Sequence, residues 1–486
     1  MTSASPPWEF DRARRVQHGA RASALAAVRT AARESGGSIY LGRAARGWAW
    51  AGREHSTLVL GPSRSGKTSS LVVPNVLAAP GAVVVTSTKD DVLCATSSAR
   101  NAVGWCLLFD PSGAVDVPRG VHRVGWSPVA ASRDWGGAIE IADAMVRTSR
   151  GRPFGSVGSG TDGHWTERAA ALLAPLLHAA ALEGASMRTL LHWVDRHDGA
   201  RALEILTARC GDAGVATDVL AGIMTTDDRE LSGIWSTASG VLGAYRSPGA
   251  LASTEGPLLD PDAFCAGPHA LYVCAAGAQQ QLFAPLVVGM MTQLRDAAYR
   301  RARTSGCAPV QPVLFALDEV ANIAPLPDLP SIVTEGPGQG LVTLACLQDL
   351  SQARVRWGPS ADAFLSIFAT SVVLGGIADI PTLEALSALG GDRELRSRTV
   401  GWSDGPGGRQ VSATDGVTTR RRLPVDVIAR VVPGWALSVD ARKRLGWLEL
   451  TPAHASWPWR ECLGDGRAAP LTRDGRESME RAGRTR

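Results

Sequence analysis

The chain has 486 residues, of which 45% are hydrophobic and 20% charged, and its formal net charge is +4. This is the composition of an ordinary globular protein with two or three domains, and so small a charge neither demands nor excludes a nucleic-acid partner. No run of about 18 apolar residues occurs, and the N-terminus is too charged for a signal peptide, so we expect a cytoplasmic chain that does not span a membrane.

The first 45 residues are rich in Ala, Arg and Ser, and one helix is predicted from Arg21 to Glu34. We expect this segment to be a helical or flexible arm outside the main core. From Thr57 onward, short apolar strands alternate with turn and helix-start residues, which is typical of βαβ units and a parallel sheet. The predicted strands are Leu58–Leu60, Ala82–Thr86, Trp105–Asp110, Ala270–Cys274, Val313–Leu317, Leu341–Ala345 and Ser371–Leu374.

A glycine-bounded polar loop follows the first of these strands. It fits G-x-x-x-x-G-K-[ST], in which glycines let backbone N–H groups wrap a phosphate where side chains would collide. A predicted helix, Ser69 to Leu77, follows the loop as the motif requires, although Pro74 should shorten or kink it. Lys67 would reach the β- and γ-phosphates and Thr68 would ligate Mg²⁺. The predicted ATP-binding residues are Gly61, Pro62, Ser63, Arg64, Ser65, Gly66, Lys67, Thr68 and Ser69.

Residues 164–247 have helical patterns and no convincing strand, and a Gly/Ser-rich stretch precedes them at 151–163. They indicate an all-α insertion in the α/β core. The predicted segments are the arm (1–45), the first part of the P-loop NTPase core (46–150), the all-α insertion domain (151–255), the second part of the core (256–455) and a disordered basic tail (456–486).

A carboxylate pair stands where the second half of an ATP site is needed. The apolar strand Val313–Leu317 runs directly into Asp318 and Glu319. Asp318 would hold Mg²⁺ opposite Thr68, and Glu319 would polarise the hydrolytic water as general base. The alternative is that the pair only caps the following turn.

Two other polar positions follow predicted strands, at the ligand edge of an open α/β sheet. Gln348 could sense the γ-phosphate, or it could simply start the next helix. Thr88 and Asp91 fit a capping box, and the alternative is a functional role at the end of the second strand.

Several segments occur together in one order. They are GPSRSGKTSSLVVPNVL (61–77), VVTSTKDDVL (84–93), FDPSG (109–113), WSP (126–128), LDEVANIAPLPDLPSIVTEGPGQG (317–340) and LACLQDLSQ (344–352). Over roughly residues 50–450 the chain resembles the TraG/TraD/VirD4 family of type IV secretion (conjugative) coupling proteins. The segments after residue 316 are more specific than the phosphate loop, which many unrelated ATPases share.

The resemblance implies a RecA-like P-loop NTPase with a mostly parallel sheet, in which Lys67 and Thr68 are Walker A, and Asp318 and Glu319 are Walker B. It implies that Gln348 is the family's glutamine after the next strand. It also implies DNA as a partner, single- or double-stranded, together with relaxase and secretion-channel proteins. A homo-hexamer would form with ATP and DNA, and the helical insertion would help to receive substrate.

Two departures from the family pattern matter. Members commonly carry two N-terminal transmembrane helices, and this chain shows none, so membrane association would come through partners at the inner face of the cell membrane. Many members also have an arginine where this chain reads Gly336-Pro-Gly-Gln-Gly340, so an arginine acting on a neighbouring subunit is in doubt here. Arg354 and Arg356 are weak substitutes.

Three functions are open on the sequence. The first is a DNA-translocating ATPase, and the second is an ATP-binding recruitment platform for secreted proteins that moves nothing itself. A small-molecule kinase is disfavoured, because Glu319 suits water activation better than phosphoryl transfer. The basic clusters Arg295–Arg303 and Arg420–Arg422 are either solvated faces or DNA contacts.

Other aromatic and sulfur-containing residues are expected in the core. Trp165, Trp193 and Trp235 fall in the helical insertion and are more typical of packing than of stacking on DNA. The cysteines form no C-x-x-C pair, and several lie in apolar runs, so we expect buried reduced thiols. They are Cys94, Cys106, Cys210, Cys265, Cys274, Cys307, Cys346 and Cys462.

Overall fold

Short runs of β-branched and apolar residues form the strands at the centre of the fold. The computed structural model describes residues 19–36, 39–149, 161–209, 214–275, 280–306, 311–405 and 408–463. The strands in these ranges are β1 (Tyr40–Ala44), β2 (Gly47–Trp50), β3 (Thr57–Leu60), β4 (Val83–Ser87), β5 (Cys106–Phe109), β6 (His122–Arg123), β7 (Ala270–Cys274), β8 (Val313–Leu317), β9 (Leu341–Leu347), β10 (Thr370–Leu374), β11 (Asp392–Gly405), β12 (Gly408–Arg421), β13 (Trp435–Val439) and β14 (Leu445–Glu449).

Twelve of these strands form one sheet in the order β2-β1-β14-β13-β10-β3-β9-β8-β4-β7-β5-β6. The eight strands from β10 to β6 run parallel to one another, and β13, β14, β1 and β2 extend the sheet in antiparallel fashion. The strands at the centre of the parallel part are buried along their whole length, as expected for strands covered by helices on both faces. The predicted mostly parallel sheet is confirmed, and all seven predicted strands are present within one or two residues.

Helices cover both faces of the sheet. They are α1 (Gly19–Glu34), α2 (Val73–Ala78), α3 (Asp91–Asn101), α4 (Pro128–Ala131), α5 (Trp135–Ser149), α6 (Thr161–Glu183), α7 (Met187–Asp195), α8 (Gly199–Arg209), α9 (Gly214–Met224), α10 (Asp228–Val241), α11 (Pro248–Ala252), α12 (Pro261–Ala266), α13 (Gln280–Thr304), α14 (Val320–Ile323), α15 (Leu329–Glu335), α16 (Leu350–Trp357), α17 (Phe364–Ile367), α18 (Ile380–Leu389), α19 (Val425–Ala429) and α20 (Trp459–Cys462).

The helical stretch from α6 to α12 contains no strand among residues 161–209 and 214–266. Its apolar side chains, among them Leu172 and Trp235, belong to the same hydrophobic cluster as Leu317 of β8. Burying one such side chain stabilises a fold by about 1.5–3 kcal/mol. Helix α5 packs against both α6 and α13, so the insertion shares the core of the sheet domain through these helices.

The helix predicted from Arg21 to Glu34 is confirmed as α1, but its expected position outside the main core is wrong for the described residues. Val28 and Ala32 of α1 are fully buried in the cluster that contains Val83 of β4, and Tyr40 begins a strand of the main sheet. The small residues of α1 let it lie close to the sheet domain, a tertiary effect that its composition did not reveal.

The disordered tail expected from residue 456 is wrong for residues 456–463, because Trp459 of α20 is 2% exposed and packs on Tyr40 with ring centroids 4.9 Å apart. The rest of that tail, from residue 464, lies outside the described residues, as does most of the Gly/Ser-rich stretch up to residue 160.

Pro74 lies where the helix after the phosphate loop changes type. Residues Thr68–Val72 form one π-helical turn, and the α-helix α2 begins at Val73 with Pro74 in its first turn. Val72 and Val73 have right-handed helical dihedrals, so the helical backbone is continuous up to the proline. A local change of helix type beside Pro74 is the kind of distortion that a proline causes inside a helix.

Candidate nucleotide site

Strand order brings three loops together at one edge of the sheet. β9 lies between β3 and β8, with Leu60 opposite Leu347 and Leu317 opposite Ala345. Because these strands are parallel, their carboxyl ends lie side by side, which is where open α/β sheets bind ligands. The phosphate loop, Gln348 and the Asp318–Glu319 pair follow these three ends.

The backbone of the phosphate loop has the conformation that the glycine spacing predicts. Gly66 has a φ of +95° and Arg64 a φ of +64°, so consecutive peptides turn their N–H groups into a concave nest. A side-chain carbon on Gly61 would lie 2.9 Å from Ser65 Oγ and 3.0 Å from Leu374 Cβ. Glycine at 61 therefore lets the loop pass close to β10.

Lys67 lies across the mouth of this loop. Its ammonium donates hydrogen bonds to the carbonyl oxygens of Gly61 and Pro62, the second at 2.9 Å, and the residue is only 8% exposed. These two carbonyls hold the cation where oxygens of a phosphate group can replace them as acceptors. The arrangement fits a triphosphate bound along the loop.

Thr68 and Asp318 are directly joined. Thr68 Oγ1 donates a hydrogen bond of 2.6 Å to Asp318 Oδ2, and Thr86 Oγ1 donates one of 3.2 Å to the Asp318 carbonyl. Asp318 is 7% exposed, and this burial raises its pKa to about 6, against the lowering effects of Thr68 and Lys67. A buried carboxylate beside a hydroxyl is a pair of hard oxygen ligands of the kind that Mg²⁺ takes.

These two residues fit Mg²⁺ bound together with a nucleotide. Within the described part of the chain, no group of three or more His, Cys, Asp and Glu side chains is placed to hold a metal ion. Mg²⁺ usually takes one or two protein oxygens and completes its shell with water and phosphate oxygens. Thr68 and Asp318 supply that number.

Glu319 has an unusual backbone, with a φ of +55°. A residue other than glycine in the left-handed region costs on the order of 1 kcal/mol or more, and such strain is concentrated at functional sites. Asn322 Nδ2 lies 3.4 Å from Glu319 Oε2 and donates to it. Asn322 thus positions the carboxylate, a contact that the sequence analysis missed although the DE-x-x-N spacing could have indicated it.

Gln348 contacts the phosphate loop. Its Nε2 donates a hydrogen bond of 3.3 Å to Ser63 Oγ, and its backbone N–H donates one of 3.0 Å to Gln352 Oε1. The simpler alternative, a residue that only begins the next helix, is wrong, because α16 begins at Leu350 with Asp349 as its cap. The structure therefore brings all the predicted site residues together.

The two arginines considered as substitutes for a trans-acting arginine are engaged within the chain. Arg356 is 9% exposed and its Nε donates a 2.8 Å hydrogen bond to the Ala321 carbonyl just after the acidic pair. Arg354 pairs with Asp362 at 2.8 Å and with Asp379 at 3.5 Å. Arg356 therefore stabilises the backbone that follows Glu319 and is not a free cation.

Other sequence predictions have mixed outcomes. The capping box is wrong, because the N-cap of α3 is Asp90 instead of Thr88, and the Asp90 side chain makes no capping hydrogen bond. Trp193 and Trp235 are buried and Trp165 is half-buried, as expected for core residues. Cys106, Cys265, Cys274, Cys346 and Cys462 are buried free thiols, Cys94 is half-buried, and Cys210 and Cys307 lie outside the described residues.

The basic cluster at Arg295–Arg303 is part of the packed structure. Arg295 forms ion pairs with Asp296, Asp328 and Glu140. Arg300 pairs with Asp262 at 3.0 Å, so Arg295 and Arg300 are both paired with acids of the same chain. The second cluster, Arg420–Arg422, lies at the base of the exposed β11–β12 hairpin.

Among the described helices, none combines the length and the apolar character that crossing a bilayer requires.

The chain is similar to proteins of bacterial conjugation. Conjugal transfer protein TraG of Escherichia coli is 26% identical over 329 residues, which are 63% of this chain and 50% of TraG, so the chain spans about half the length of that relative. The plasmid coupling protein TrwB with a non-hydrolysable ATP analogue has a TM-score of 0.58 at 18% identity, covering 82% of this chain and 86% of TrwB. TrwB with ADP and Mg²⁺ has a TM-score of 0.58 at 19% identity, covering 82% and 85%.

The structural likeness gives the fold, which is the RecA-like P-loop fold predicted from the sequence. The sequence profile of the family described as Type IV secretory system Conjugative DNA transfer matches residues 22–422. The match covers most of the chain, including the phosphate loop and the acidic pair. The chain belongs to the conjugative DNA transfer family of type IV secretion systems.

Proposed function

We propose that this protein is a Mg²⁺-dependent ATPase that uses hydrolysis to bring DNA to a type IV secretion channel. The observation that carries the proposal is the contact between the two halves of the site, Thr68 Oγ1 to Asp318 Oδ2 at 2.6 Å. Residues 250 positions apart meet at the edge where the phosphate loop is open. Family membership and the nucleotide-bound TrwB structures support ATP as the ligand.

Each side chain has a distinct task in this proposal. Backbone N–H groups of residues 61–69 cradle the phosphates, and Lys67 exchanges its two carbonyl partners for phosphate oxygens. Thr68 and Asp318 hold Mg²⁺, which when bound neutralises charge that develops on the phosphates. Burial makes Asp318 costly to ionise without a cation, so the site favours metal and nucleotide together.

Glu319 accepts the proton of the attacking water, and Asn322 keeps the carboxylate in place for that transfer. Gln348, bonded to Ser63, links the phosphate loop to β9 and so transmits loss of the γ-phosphate to the rest of the subunit. Hydrolysis needs only a carboxylate that accepts a proton from the attacking water. A kinase would also need room and contacts for an acceptor substrate.

A ring of subunits completes the site in this proposal. Arg354 and Arg356 are held by partners of their own, in every identical subunit, so we propose that a different basic residue of the neighbouring subunit stabilises the transferring phosphoryl group. Head-to-tail contacts of this kind close into rings when the rotation per subunit allows, and a hexamer is the assembly we propose. The helical insertion, residues 161–266, lies beside the core where it can receive substrate or its relaxase.

The test combines hydrolysis with DNA binding. Parent protein should hydrolyse ATP with Mg²⁺, and double-stranded DNA should raise the rate several-fold. Glu319→Gln should bind ATP with the parental affinity but lose hydrolysis, because the amide keeps the shape of the side chain and cannot take a proton. An ATPase rate in the parent that DNA does not change, together with tight binding of secreted protein substrates, would instead support the recruitment platform.

A further inference from the structure

The β11–β12 hairpin stands apart from the rest of the fold. Each strand has 14 residues, a length of about 45 Å, and the pair forms a two-stranded sheet separate from the main one. Every hairpin residue whose side chain the structure describes is exposed or half-exposed. A two-stranded hairpin is marginally stable by itself in water, so a ribbon of this length is expected to gain order from a partner.

The two faces of the hairpin differ in charge. Side chains alternate between faces along each strand, so odd positions 393–401 of β11 share one face with even positions 412–420 of β12. We call this the hydroxyl face: it carries two arginines, five serines and threonines, two glycines and one leucine, and no acid. The opposite, mixed face at even positions 392–402 and odd positions 411–421 carries three arginines and three carboxylates.

The two arginines of the hydroxyl face are direct neighbours. Arg393 is paired in register with Arg420, and like charges directly opposite each other destabilise a strand pair. On the mixed face, by contrast, Arg398 faces Asp415 at 3.7 Å and Arg421 faces Asp392 at 3.2 Å. The chain thus neutralises one face and leaves the other with a charge that an anion would offset.

The hydroxyl face is also rich in hydrogen-bond donors. Gly401 and Gly416 leave space that the hydroxyls of Ser412 and Ser397 fill, since a side-chain carbon on either glycine would lie within 3.3 Å of those oxygens. Short hydroxyls beside paired arginines are typical contacts to phosphate oxygens of a nucleic-acid backbone. Contacts to phosphate oxygens carry little base specificity.

We infer that the hydroxyl face of the β11–β12 hairpin binds the phosphate backbone of double-stranded DNA. The identity of the polyanion rests on the proposed function, and the charge separation between the faces is independent of it. Single strands are bound by aromatic side chains on which bases stack, and the hydroxyl face has none, because Trp402 lies on the mixed face. Duplex DNA, whose outer surface is phosphate and sugar, fits this face, and a two-stranded ribbon is narrow enough to enter its major groove.

The hairpin lies away from the nucleotide site. The base of the hairpin is connected to the amino end of β10. Gly390, just before the hairpin, adjoins Leu445 of β14. Leu445 pairs with Val439 of β13, which in turn pairs with Ser371 at the start of β10. The phosphate loop follows the opposite, carboxyl end of the adjacent strand β3. Substitutions on the hairpin are therefore expected to leave ATP hydrolysis without DNA unchanged.

The experiment compares matched double variants of the full chain. Arg393→Gln with Arg420→Gln removes two charges from the hydroxyl face, and Arg396→Gln with Arg398→Gln removes two from the mixed face. Binding of a fluorescent duplex of mixed sequence is measured across salt concentrations, with a single strand of equal length as a second probe. ATPase rates with and without duplex are measured on the same proteins.

The hydroxyl-face variant should bind duplex on the order of 30-fold more weakly at about 150 mM salt, and the slope of log affinity against log salt should fall by about 2. The mixed-face variant should change that slope by less than about 1, and both should keep the parental ATPase rate without DNA. Equal losses in the two variants, or none, would overturn the inference, as would a hydroxyl-face variant that keeps duplex binding but no longer associates with itself. Failure of the parent to bind any DNA would instead overturn the proposed function, and the DNA-binding hairpin with it.

Discussion

Thr68 Oγ1 and Asp318 Oδ2 are 2.6 Å apart although 250 positions separate the residues in the sequence. The hydrogen bond closes the two halves of a nucleotide site across β9, the strand between them. It is also the contact that a divalent cation would replace, because the same two oxygens are its ligands. Substitution of Thr68 therefore tests whether this pair of oxygens binds Mg²⁺.

Thr68→Val keeps the size of the side chain but removes the hydroxyl, whereas Thr68→Ser keeps the hydroxyl. We expect the valine variant to lose Mg²⁺-dependent ATP affinity by at least about 10-fold and the serine variant to retain most of it. Calorimetric titration of ATP with Mg²⁺ and with EDTA measures the difference. Equal Mg²⁺ dependence in the two variants would show that Thr68 is not a ligand.

Lys67→Ala removes the cation at the mouth of the phosphate loop. We expect ATP turnover to fall roughly 100-fold or more, because a preorganised positive charge is lost where phosphate charge develops. Nucleotide binding should weaken as well. Lys67→Arg is the control for charge alone, and its turnover should also be low, since a planar guanidinium does not replace the compact ammonium against the phosphate oxygens.

Asn322→Ala removes the hydrogen-bond donor that lies 3.4 Å from Glu319 Oε2. We expect kcat to fall about 10-fold while KM for ATP stays the same, because the carboxylate loses its orientation and the phosphate contacts remain. Steady-state kinetics separate the two constants. A raised KM with parental kcat would mean that Asn322 acts in binding and does not position the base.

The ion-pair network around Arg295 gives a prediction for pH. Burial, together with a hydrogen bond to Glu140, raises the pKa of Asp296 to about 6, and Arg295 opposes the shift. A folded-state pKa above the unfolded value contributes stability that is complete below the unfolded pKa and is lost as pH rises through the folded one. The parent should therefore lose this contribution between about pH 4 and pH 6.

Asp296→Asn keeps a neutral side chain at every pH. Relative to the parent, its thermal unfolding temperature should rise as pH increases from about 4 to about 6 and then level off. The control is Asp262→Asn, which changes the exposed carboxylate that pairs with Arg300. This variant should show no such trend. A parent-to-variant difference that is constant from about pH 4 to pH 8 would contradict the assignment.

The sequence alone predicts those parts of the site that each lie within one short segment. An apolar strand followed by GPSRSGKT, and another followed by Asp318 and Glu319, predict phosphate and metal binding without any knowledge of neighbours. The buried parallel strands were predictable for the same reason, since each is a continuous apolar run such as Val313–Leu317.

The remaining features depend on tertiary contacts that no local pattern encodes. The contact of Gln348 with Ser63 follows from β9 lying between β3 and β8, an order that differs from the order in the chain. The antiparallel extension by β13, β14, β1 and β2 consists of short strands with mixed burial. The long hairpin has polar residues on both faces, so the alternation that reveals a half-buried strand is missing.

In the proposed function a neighbouring subunit completes the ATPase site on DNA. Specific ATPase activity, measured against protein concentration with and without double-stranded DNA, tests this claim most directly. We predict that activity per subunit rises steeply with concentration and that DNA shifts the rise to lower concentration, because assembly supplies the missing cation. Activity per subunit that is constant over the whole range and unaffected by DNA would contradict the account and favour a recruitment platform that acts as single subunits.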